Sequence, residues 1–406
     1  MGTNRIGQLT TEAVTRIEPA RVEGEIPEAL GDRVADLAAA SAKLGRSLHP
    51  ATAADLAGLT RLMNTYYSNL IEGHNTRPSD IERALRGDLD EEPSRRDLQM
   101  EAANHVRVQA RIDAMAADGS LPDPTTPSFV QWLHEEFYRC APESMLTIEG
   151  AGRQVRMEPG RWRSGPEHEV AVGRHQPPSS HRVDAFMQHF HQRFRMDRMR
   201  SGARILALGA AHHRLNYIHP FPDGNGRVSR LVTHAMAHHA GVAASGLWSV
   251  SRGLARGLES RTEYRSMMDF ADRPRQGDRD GRGNLSLAAL VRFSEWFLDV
   301  CLDQVAFMSG LYDLPALGDR LTRLVERHEA LPGEAAALLR AILVRGEIPR
   351  GETAAVMGMP ERSARRVVSR LVEDGLVGSV TPKGSIGLRF PQQTHDVLFP
   401  RLFPET

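Results

Sequence analysis

The sequence predicts a mainly α-helical protein with one small β-hairpin and a C-terminal winged helix-turn-helix. Apolar residues recur along most of the chain at the three- and four-residue spacing of an amphipathic helix. Only residues 148–180 interleave glycines with valines, the pattern of a short hairpin. With 406 residues, the chain is long enough for two or three domains.

Composition and charge exclude several classes of protein. The 51 basic and 51 acidic residues give a formal net charge of zero, so no whole-chain charge attracts a nucleic acid or a membrane. Two cysteines, Cys140 and Cys301, are too few for a disulfide framework or a cysteine-based zinc site. No apolar run reaches the roughly 18 residues of a membrane helix. We therefore expect a soluble, cytoplasmic protein.

An N-terminal helical module is predicted over residues 1–120. Its second helix, at about 52–73, carries an apolar stripe and should end at Gly73, a residue typical of helix C-termini. A third helix should begin with Pro78 in its first turn, and a further helix is predicted at about 97–117.

A core is predicted over residues 121–270, followed by a linker and helical extension over 271–320. The helices expected in the core are 128–138, 183–196, 203–218 and 227–240. Between Ala271 and Asn284, the residues alternate Asp, Arg and Gly without apolar residues, which indicates a solvated loop, and a helix should follow at 287–308.

The last section, residues 321–406, is predicted to be a separate domain. A short helix at 353–357, a turn and a second helix at 360–374 are followed by two short strands, at 376–380 and 385–390. This order of elements resembles a winged helix-turn-helix domain.

The most informative segment lies between the last two core helices and reads His219-Pro220-Phe221-Pro222-Asp223-Gly224-Asn225-Gly226-Arg227-Val228-Ser229-Arg230. Gly224 and Gly226 allow the backbone to approach an anion closely, and a helix that begins there aims its free N–H groups at that anion. Arg227 and Arg230 point about 60° apart around the helix axis, so both can reach one polyphosphate.

Two further residues of this segment suit chemistry on a nucleotide. Asp223 offers the hard oxygen ligand that Mg²⁺ uses beside phosphates, and the pKa of a histidine such as His219 suits a general base near neutral pH. A bare Gly-Asn-Gly is more often a tight turn, with the histidine capping the preceding helix. Here all of these groups lie within twelve residues, so we interpret the segment as a nucleotide phosphate site.

At every defining position, residues 219–230 resemble the motif H-x-F-x-D/E-G-N-G-R-x-x-R of the Fic family, named for filamentation induced by cAMP. Most characterised members are adenylyltransferases that move AMP from ATP to a protein hydroxyl. The resemblance implies a helical core with a β-hairpin flap, ATP as co-substrate and Mg²⁺ as cofactor. The flap, which would align the target segment as an added strand, corresponds by position to about 160–175. A hairpin without a substrate role is the alternative.

The resemblance also implies roles for individual residues. His219 would deprotonate the Ser, Thr or Tyr hydroxyl that attacks the α-phosphate as pyrophosphate leaves, and Phe221 would anchor the loop in the core. Asp223 would hold Mg²⁺ between the α- and β-phosphates. The residues Gly224, Asn225 and Gly226 would form the anion cradle, and Arg227 and Arg230 would bind the β- and γ-phosphates.

Upstream, Ser68-Asn69-Leu70-Ile71-Glu72-Gly73 is similar to the family's inhibitory pattern S/T-x-x-x-E-G/N. Its glutamate pairs with the second motif arginine and blocks productive seating of the γ-phosphate. Helical phase places Ser68 and Glu72 about 40° apart, on the face opposite the apolar stripe. We therefore expect Glu72 to face Arg230, although geometry alone is equally consistent with a solvent-facing side chain.

Histidine pairs occur on the two helices that flank the motif. His234 and His238 lie four residues apart after it, and His212 and His213 lie before it. Since there is no H-E-x-x-H and no cysteine partner, we favour partly exposed helix histidines over a metal site.

The C-terminal domain carries a modest basic surplus. Arg362, Arg366 and Arg370 recur every four residues on one face of its second helix, and Lys383 lies at the tip of the predicted wing. These are positions that a major-groove reader uses. A winged helix that docks a protein or forms a dimer is at least as consistent with so small a surplus.

The sequence therefore predicts an adenylyltransferase that is inhibited by its own Glu72 and acts on an unidentified protein, which can include itself. Removal of AMP from modified proteins by the same site is one alternative, with Glu72 positioning a water. A DNA-binding regulator whose core senses nucleotide is another. The choice of nucleotide and the oligomeric state, a homo-oligomer included, stay open.

Overall fold

Helices make up most of the fold, as the periodicity predicts. The computed structural model describes residues 12–24, 26–74, 76–150 and 153–403. The two ends of the chain, at 1–11 and 404–406, and the segment 151–152 of the Gly-rich stretch lie outside the described residues. Among the helices described, none combines the length and the apolar character required to cross a bilayer.

Four helices form the N-terminal part: α1 (Glu28–Arg46), α2 (Pro50–Ile71), α3 (Pro78–Leu85) and α4 (Pro93–Asp118). A proline opens each of the last three, where its missing N–H costs no helical hydrogen bond. Helix α2 ends as predicted, because Gly73 follows Glu72 with a φ of +87°. The buried stretch of α2 continues to Asn69, so this helix belongs to the core.

Five helices follow: α5 (Pro127–Phe137), the short α6 (Glu143–Leu146), α7 (Val183–Phe194), α8 (Ser201–Ile218) and α9 (Asn225–His239). The sequence does not predict α6, and the other four lie within two residues of their predicted bounds. Helix α8 is buried on nearly all sides from Ile205 to Ile218 and packs against α1, α7 and α9. It therefore forms the centre of the core.

The hairpin forms at the start of the predicted stretch 148–180 rather than at 160–175, the position that the resemblance gives to the flap. The paired strands are β1 (Thr147–Gly150) and β2 (Arg153–Arg156), which are antiparallel. Residues 160–175 contain a 3₁₀ turn and a single β-bridge between Val172 and His175.

The side chain of Arg163 explains this difference. Its fully buried guanidinium donates to the carbonyls of Pro178, Ile218 and His219, the last two at 3.0 and 2.6 Å. A side chain, rather than a second strand, therefore fastens this Gly-rich segment to the end of α8.

Three more helices complete the central part: α10 (Ser251–Arg256), α11 (Glu263–Ala271) and α12 (Leu287–Leu311). The segment between α11 and α12 is irregular, as expected. Its Asp280 accepts from the N–H groups of Gln276 and Ala288, each at 2.8 Å, and so caps the start of α12.

The C-terminal section follows the predicted order of elements. It contains α13 (Leu314–Glu326), α14 (Ala335–Arg345), β3 (Glu347–Ile348), α15 (Thr353–Met357), α16 (Glu361–Glu373), β4 (Val377–Gly378), β5 (Ile386–Leu388) and α17 (His395–Leu398). The strands form an antiparallel sheet in the order β3-β5-β4. Helix α13 spans residue 321, the boundary predicted for this section.

This section packs directly on α2. Oγ1 of Thr52 donates to the carbonyl of Leu343 at 3.0 Å, and Arg389 forms an ion pair with Asp55 at 2.9 Å. Further along α2, the hydroxyl of Tyr67 donates to the carbonyl of Leu402 at 3.2 Å. The C-terminal section therefore contacts most of the length of the helix that carries Ser68 and Glu72.

Candidate active site

The loop at 219–224 connects α8 to α9. His219 has a φ of +50°, and its N–H donates to the carbonyl of Leu215 at 3.0 Å. The N–H of Phe221 donates to Oδ1 of Asn225 at 2.9 Å, and Nδ2 of Asn225 donates back to the carbonyl of Phe221 at 2.9 Å. The side-chain amide of Asn225 thus closes the loop and fixes the backbone at the start of α9.

Phe221 is fully buried and fixes the loop to the core. Its ring stacks on that of His134, with the centroids 3.8 Å apart, and lies 4.7 Å from the ring of Trp162. Nδ1 of His134 accepts from the N–H of Gly160 at 2.9 Å. Phe221 thus occupies the place expected of it, held by aromatic neighbours from two other segments.

The first turn of α9 lies at the end of this loop. Gly224 has a φ of +78°, and a side chain there would collide with the ring of Tyr138. A side chain at Gly226 would collide with the carboxylate of Glu72. Glu72 therefore brings a negative charge to the N-terminus of α9, where unpaired N–H groups and the helix dipole favour an anion.

Arg230 is held by two residues of α2. Nη2 of Arg230 lies 2.6 Å from Oε1 of Glu72, and Nε donates to Oγ of Ser68 at 2.9 Å. The guanidinium is almost fully buried, with 1% of its side chain exposed. Burial raises the pKa of Glu72, but Arg230 and Arg227 outweigh that effect, so the pKa is lowered and the carboxylate is ionised at neutral pH.

Arg227 is held by two other carboxylates. Nη1 of Arg227 lies 2.6 Å from Oε1 of Glu101, and Nη2 lies 2.9 Å from Oδ2 of Asp223. The hydroxyl of Tyr138 accepts from the same Nη2 and donates to the same carboxylate, each at 2.9 Å. The guanidinium is thus kept in place by a network rather than by one partner.

Sequence reasoning missed Glu101 and Tyr138. The sequence does contain a signal for Glu101, because this acid shares the apolar face of α4 with Val108 and Ile112. An acid that is buried on such a face needs a charged or hydrogen-bonding partner. Tyr138 follows an ordinary amphipathic helix, and nothing in the sequence distinguishes it from a core aromatic.

Asp223 has the properties that a magnesium ligand needs. Half of its side chain is exposed, so a cation can reach the carboxylate from solvent. Burial raises its pKa, but Arg227 and the backbone of Gly224 outweigh that effect, and the net pKa is lowered. An ionised, accessible carboxylate beside an anion site fits Mg²⁺.

His219 is a weaker base than its sequence position suggests. Burial, together with the nearby Arg163 and His175, lowers the pKa of His219 to about 4. A hydrogen bond with the backbone of Asn216 opposes this fall. The imidazole is therefore neutral throughout the physiological range and can accept a proton.

Most of the flanking histidines are more buried than predicted. His212 and His213 are buried on α8, and His234 is buried on α9; only His238 is partly exposed. Each has a polar partner: His212, for example, contacts the hydroxyls of Thr233 and Tyr264 at 2.9 and 2.8 Å.

The C-terminal basic residues belong to a different surface. Arg362 and Arg366 are exposed on α16, and Lys383 is exposed in the turn between β4 and β5. Arg370 lies on the same helix but forms an ion pair with Asp374 at 2.9 Å.

Comparison with known proteins identifies the central part of the chain. Residues 124–237 match the model of the Fic/DOC family. The protein adenylyltransferase Fic of Drosophila ananassae is 36% identical over 74 residues, and that of Drosophila grimshawi is 37% identical over 73 residues. Each match covers 18% of this chain and 15% of the relative, so the chain spans only a small part of the length of these relatives.

Solved structures match over more of the chain. A Fic family protein from Desulfovibrio desulfuricans G20 has a TM-score of 0.51 at 18% identity, covering 92% of this chain and 99% of that one. A Fic domain containing signaling protein from Bacteroides thetaiotaomicron has a TM-score of 0.50 at 18% identity, covering 68% and 96%. The chain therefore contains a Fic/DOC domain, and its mainly helical fold is shared with these proteins.

Proposed function

We propose that the protein is an ATP- and Mg²⁺-dependent protein adenylyltransferase that is inhibited by its own Glu72. One observation carries this proposal: the ionised carboxylate of Glu72 lies against the first turn of α9 and on Arg230, where the resemblance places a nucleotide phosphate. A site that already binds a carboxylate of the protein is suited to bind a phosphate when that carboxylate leaves. The match to Drosophila adenylyltransferases over 74 residues supports the same reaction class.

In the proposed reaction, the oxygen of a target Ser, Thr or Tyr attacks the α-phosphorus of ATP. Neutral His219 takes the hydroxyl proton, the bond between the α-phosphorus and the bridging oxygen breaks, and pyrophosphate leaves with its electron pair. Arg227 and Arg230 stabilise the charge that develops on the leaving group. Asp223 would hold Mg²⁺, which when bound neutralises phosphate charge.

The low pKa of His219 fits this role once the substrate is considered. Burial is the main cause of the fall to about 4, and the neighbouring Arg163 and His175 add to it. The negative charge of a bound triphosphate would oppose them and raise the pKa of His219 toward the range of an efficient base. The site would thus become more basic when the nucleotide arrives.

Inhibition would act through Arg230. Glu72 and a γ-phosphate would compete for the same buried guanidinium, and a charge-assisted hydrogen bond contributes about 1.5–3 kcal/mol. Loss of that competition corresponds to a gain of roughly 10- to 100-fold in nucleotide affinity. The ion pair is accessible enough to open, since 31% of the Glu72 side chain is exposed.

Removal of AMP from a modified protein is a second candidate. The observation in its favour is that Glu72 is both ionised and partly exposed, so it can position and activate a water. In this reaction Glu72 would be required rather than inhibitory. The two candidates therefore predict opposite effects of the same substitution.

The C-terminal section would supply regulation in either case. It packs along α2, and its exposed Arg362, Arg366 and Lys383 offer positive charge to DNA or to an acidic protein surface. A ligand bound there would alter the packing of α2, and so the position of Glu72.

The test is transfer of label from α-phosphate-labelled ATP with Mg²⁺, measured first on the purified protein and then in lysate. Glu72→Gly should raise incorporation, and His219→Ala in that background should abolish it. Glu82→Gly, on neighbouring α3, controls for the loss of an acid. Absence of label in every variant would overturn the proposal, and Glu72-dependent release of AMP from a pre-labelled target would establish the second candidate.

A further inference from the structure

Three side chains that the proposed reaction does not use converge between α4 and α9. Asp113 comes from α4, and His234 and His238 come from consecutive turns of α9. Oδ1 of Asp113 lies 2.6 Å from Nε2 of His234 and 3.0 Å from Nε2 of His238. All three atoms lie within 4.8 Å of one another. One carboxylate oxygen and two imidazole nitrogens thus point at a common position.

We propose that Asp113, His234 and His238 bind a divalent transition-metal ion of the zinc class and so link α9 to α4. Imidazole nitrogens together with a carboxylate oxygen suit Zn²⁺ and its neighbours rather than Mg²⁺ or Ca²⁺, which prefer oxygen ligands alone. Histidines four residues apart on a helix present both rings to the same side. With three protein ligands, a fourth position remains for water.

The distances are compatible with this ion. Bonds of about 2.0–2.1 Å at tetrahedral angles place two ligand atoms roughly 3.3 Å apart. The Asp113 oxygen would therefore move away from each histidine nitrogen by less than about 1 Å from the 2.6 and 3.0 Å observed. The two histidine nitrogens, which lie within 4.8 Å of each other, would approach by at most about 1.5 Å. Side-chain rotation can supply such a movement without displacing either helix.

Neighbouring residues orient the Asp113 carboxylate and leave a path by which an ion can enter. The other oxygen of Asp113 accepts from Nη1 of Arg61 at 2.8 Å, which orients the carboxylate and leaves Oδ1 for the ion. A turn at Gly246, with a φ of +79°, brings backbone close to the same carboxylate. The side chains of Asp113 and His238 retain 13% and 12% exposure, so the ion can enter from that side.

The competing explanation is a hydrogen-bonded cluster in which both histidines donate to Asp113 and no ion binds. Titration separates the two. A hydrogen-bonded cluster takes up no equivalent of Zn²⁺, whereas the proposed site binds one and loses affinity when an imidazole ligand is removed.

The test uses the full chain without an affinity tag, stripped with chelator and titrated with Zn²⁺ in the presence of excess Mg²⁺. We expect one equivalent to bind, a rise in the midpoint of thermal unfolding, and visible absorption of a tetrahedral site when Co²⁺ is used instead. His238→Ala should weaken binding at least tenfold. His239→Ala, one residue further along α9, where the ring contacts the carbonyl of Pro122 at 2.9 Å, should leave it unchanged.

Equal zinc binding in the His238 and His239 variants would overturn the proposal, since it would mean binding by other histidines of the chain. The proposal would also be overturned if the unsubstituted protein did not bind one equivalent of Zn²⁺ tightly. If His238→Ala fails to fold, His238→Asn, which keeps a polar side chain there, decides the matter: weaker Zn²⁺ binding than in the His239 variant supports the site, and equal binding contradicts it.

Discussion

Oε1 of Glu72 lies 2.6 Å from Nη2 of Arg230, although 158 positions separate the two residues in the chain. Ser68, one helical turn before Glu72, contacts the same guanidinium through its hydroxyl and its carbonyl. A single turn of α2 therefore satisfies a buried arginine that the proposed reaction needs for a phosphate. The first two predictions test this relationship directly.

Replacement of Glu72 should free Arg230 for the nucleotide. In a His219→Ala background, where turnover is absent, Glu72→Gly should tighten ATP binding by roughly 10- to 100-fold, since one charge-assisted hydrogen bond no longer competes. Glu72→Gln should give an intermediate gain, because the amide can still contact the guanidinium without a charge. Isothermal titration with ATP and Mg²⁺ measures both.

Glu82→Gly is the matched control for this prediction. Glu82 is an acid of the adjacent α3 whose ion-pair partner is the exposed Arg86 rather than a motif arginine. Its loss should leave the ATP affinity unchanged. The prediction fails if the Glu72 and Glu82 variants bind ATP equally well.

Gly226 provides an independent measurement of the same contact. The Cβ of an alanine there would collide with Oε1 of Glu72 and lie 3.1 Å from Nη1 of Arg230. Gly226→Ala should lower the free energy of unfolding by about 1–2 kcal/mol, because it displaces the carboxylate from its partner. In a Glu72→Gly background the decrease in the free energy of unfolding should be smaller, since the Glu72 oxygen that collides with the new Cβ is absent.

Chemical denaturation of the four proteins of this double-mutant cycle gives the coupling energy. Gly310→Ala, at a position of α12 where an added Cβ meets no atom within 4 Å, should be neutral or slightly stabilising. A coupling energy near zero would show that Gly226 does not accommodate Glu72.

The sequence predicts the central helices and the face of Glu72 because both depend on the local pattern of residues. Helical periodicity places α5, α7, α8 and α9 within two residues of their bounds but misses α6, α10 and α11. Phase alone places Ser68 and Glu72 on one face. The pairing with Arg230 follows from the resemblance once that face is known. Long periodic helices and a motif of closely spaced residues are the features that can be predicted best from a single sequence.

What the sequence does not predict depends on contacts between distant segments. Arg163 lies in a Gly-rich stretch, and nothing local indicates that its guanidinium replaces the strand pairing expected there. Asn225 matches the motif, but the motif does not show that its side chain closes the loop by bonding with the backbone of Phe221. In both cases the side chain bonds with backbone groups that would otherwise lack a partner. The sequence alone does not show which backbone groups those are.

The contact between the C-terminal section and α2 gives a third prediction. Tyr67→Phe removes the buried hydrogen bond to the carbonyl of Leu402 and should lower the free energy of unfolding by about 1 kcal/mol. If this section holds α2 in its inhibitory position, label transfer from ATP should also rise by a factor of a few.

Tyr66→Phe is the control for this effect. Tyr66 precedes Tyr67 on the same helix and contacts Phe403 through its ring, with the centroids 5.6 Å apart, a contact that phenylalanine retains. The Tyr66→Phe variant should keep the unfolding free energy and the rate of label transfer of the unsubstituted protein. Equal rates in the two variants would mean that this contact does not influence the site.

Three buried imidazoles make the stability depend on pH. Burial lowers the pKa of His105, His134 and His212 to about 3 each, whereas an unfolded histidine titrates near 6.5. Below pH 6.5 the unfolded state therefore binds protons that the folded state does not. The stability that these residues contribute is complete above pH 6.5 and falls as the pH drops from 6.5 toward 3.

His105 is the residue with which to measure this effect. Its ring is fully buried, lies 5.8 Å from the ring of Phe137, and has no hydrogen-bond partner for either nitrogen within the described part of the chain. When the pH falls from 7.5 to 5.5, one such histidine lowers the free energy of unfolding by about 1.4 kcal/mol. His105→Leu should reduce the loss measured by urea unfolding by that amount, whereas the exposed His181→Leu should not change it. Identical pH dependence in both variants would mean that His105 is protonated, or paired through water, in the folded protein.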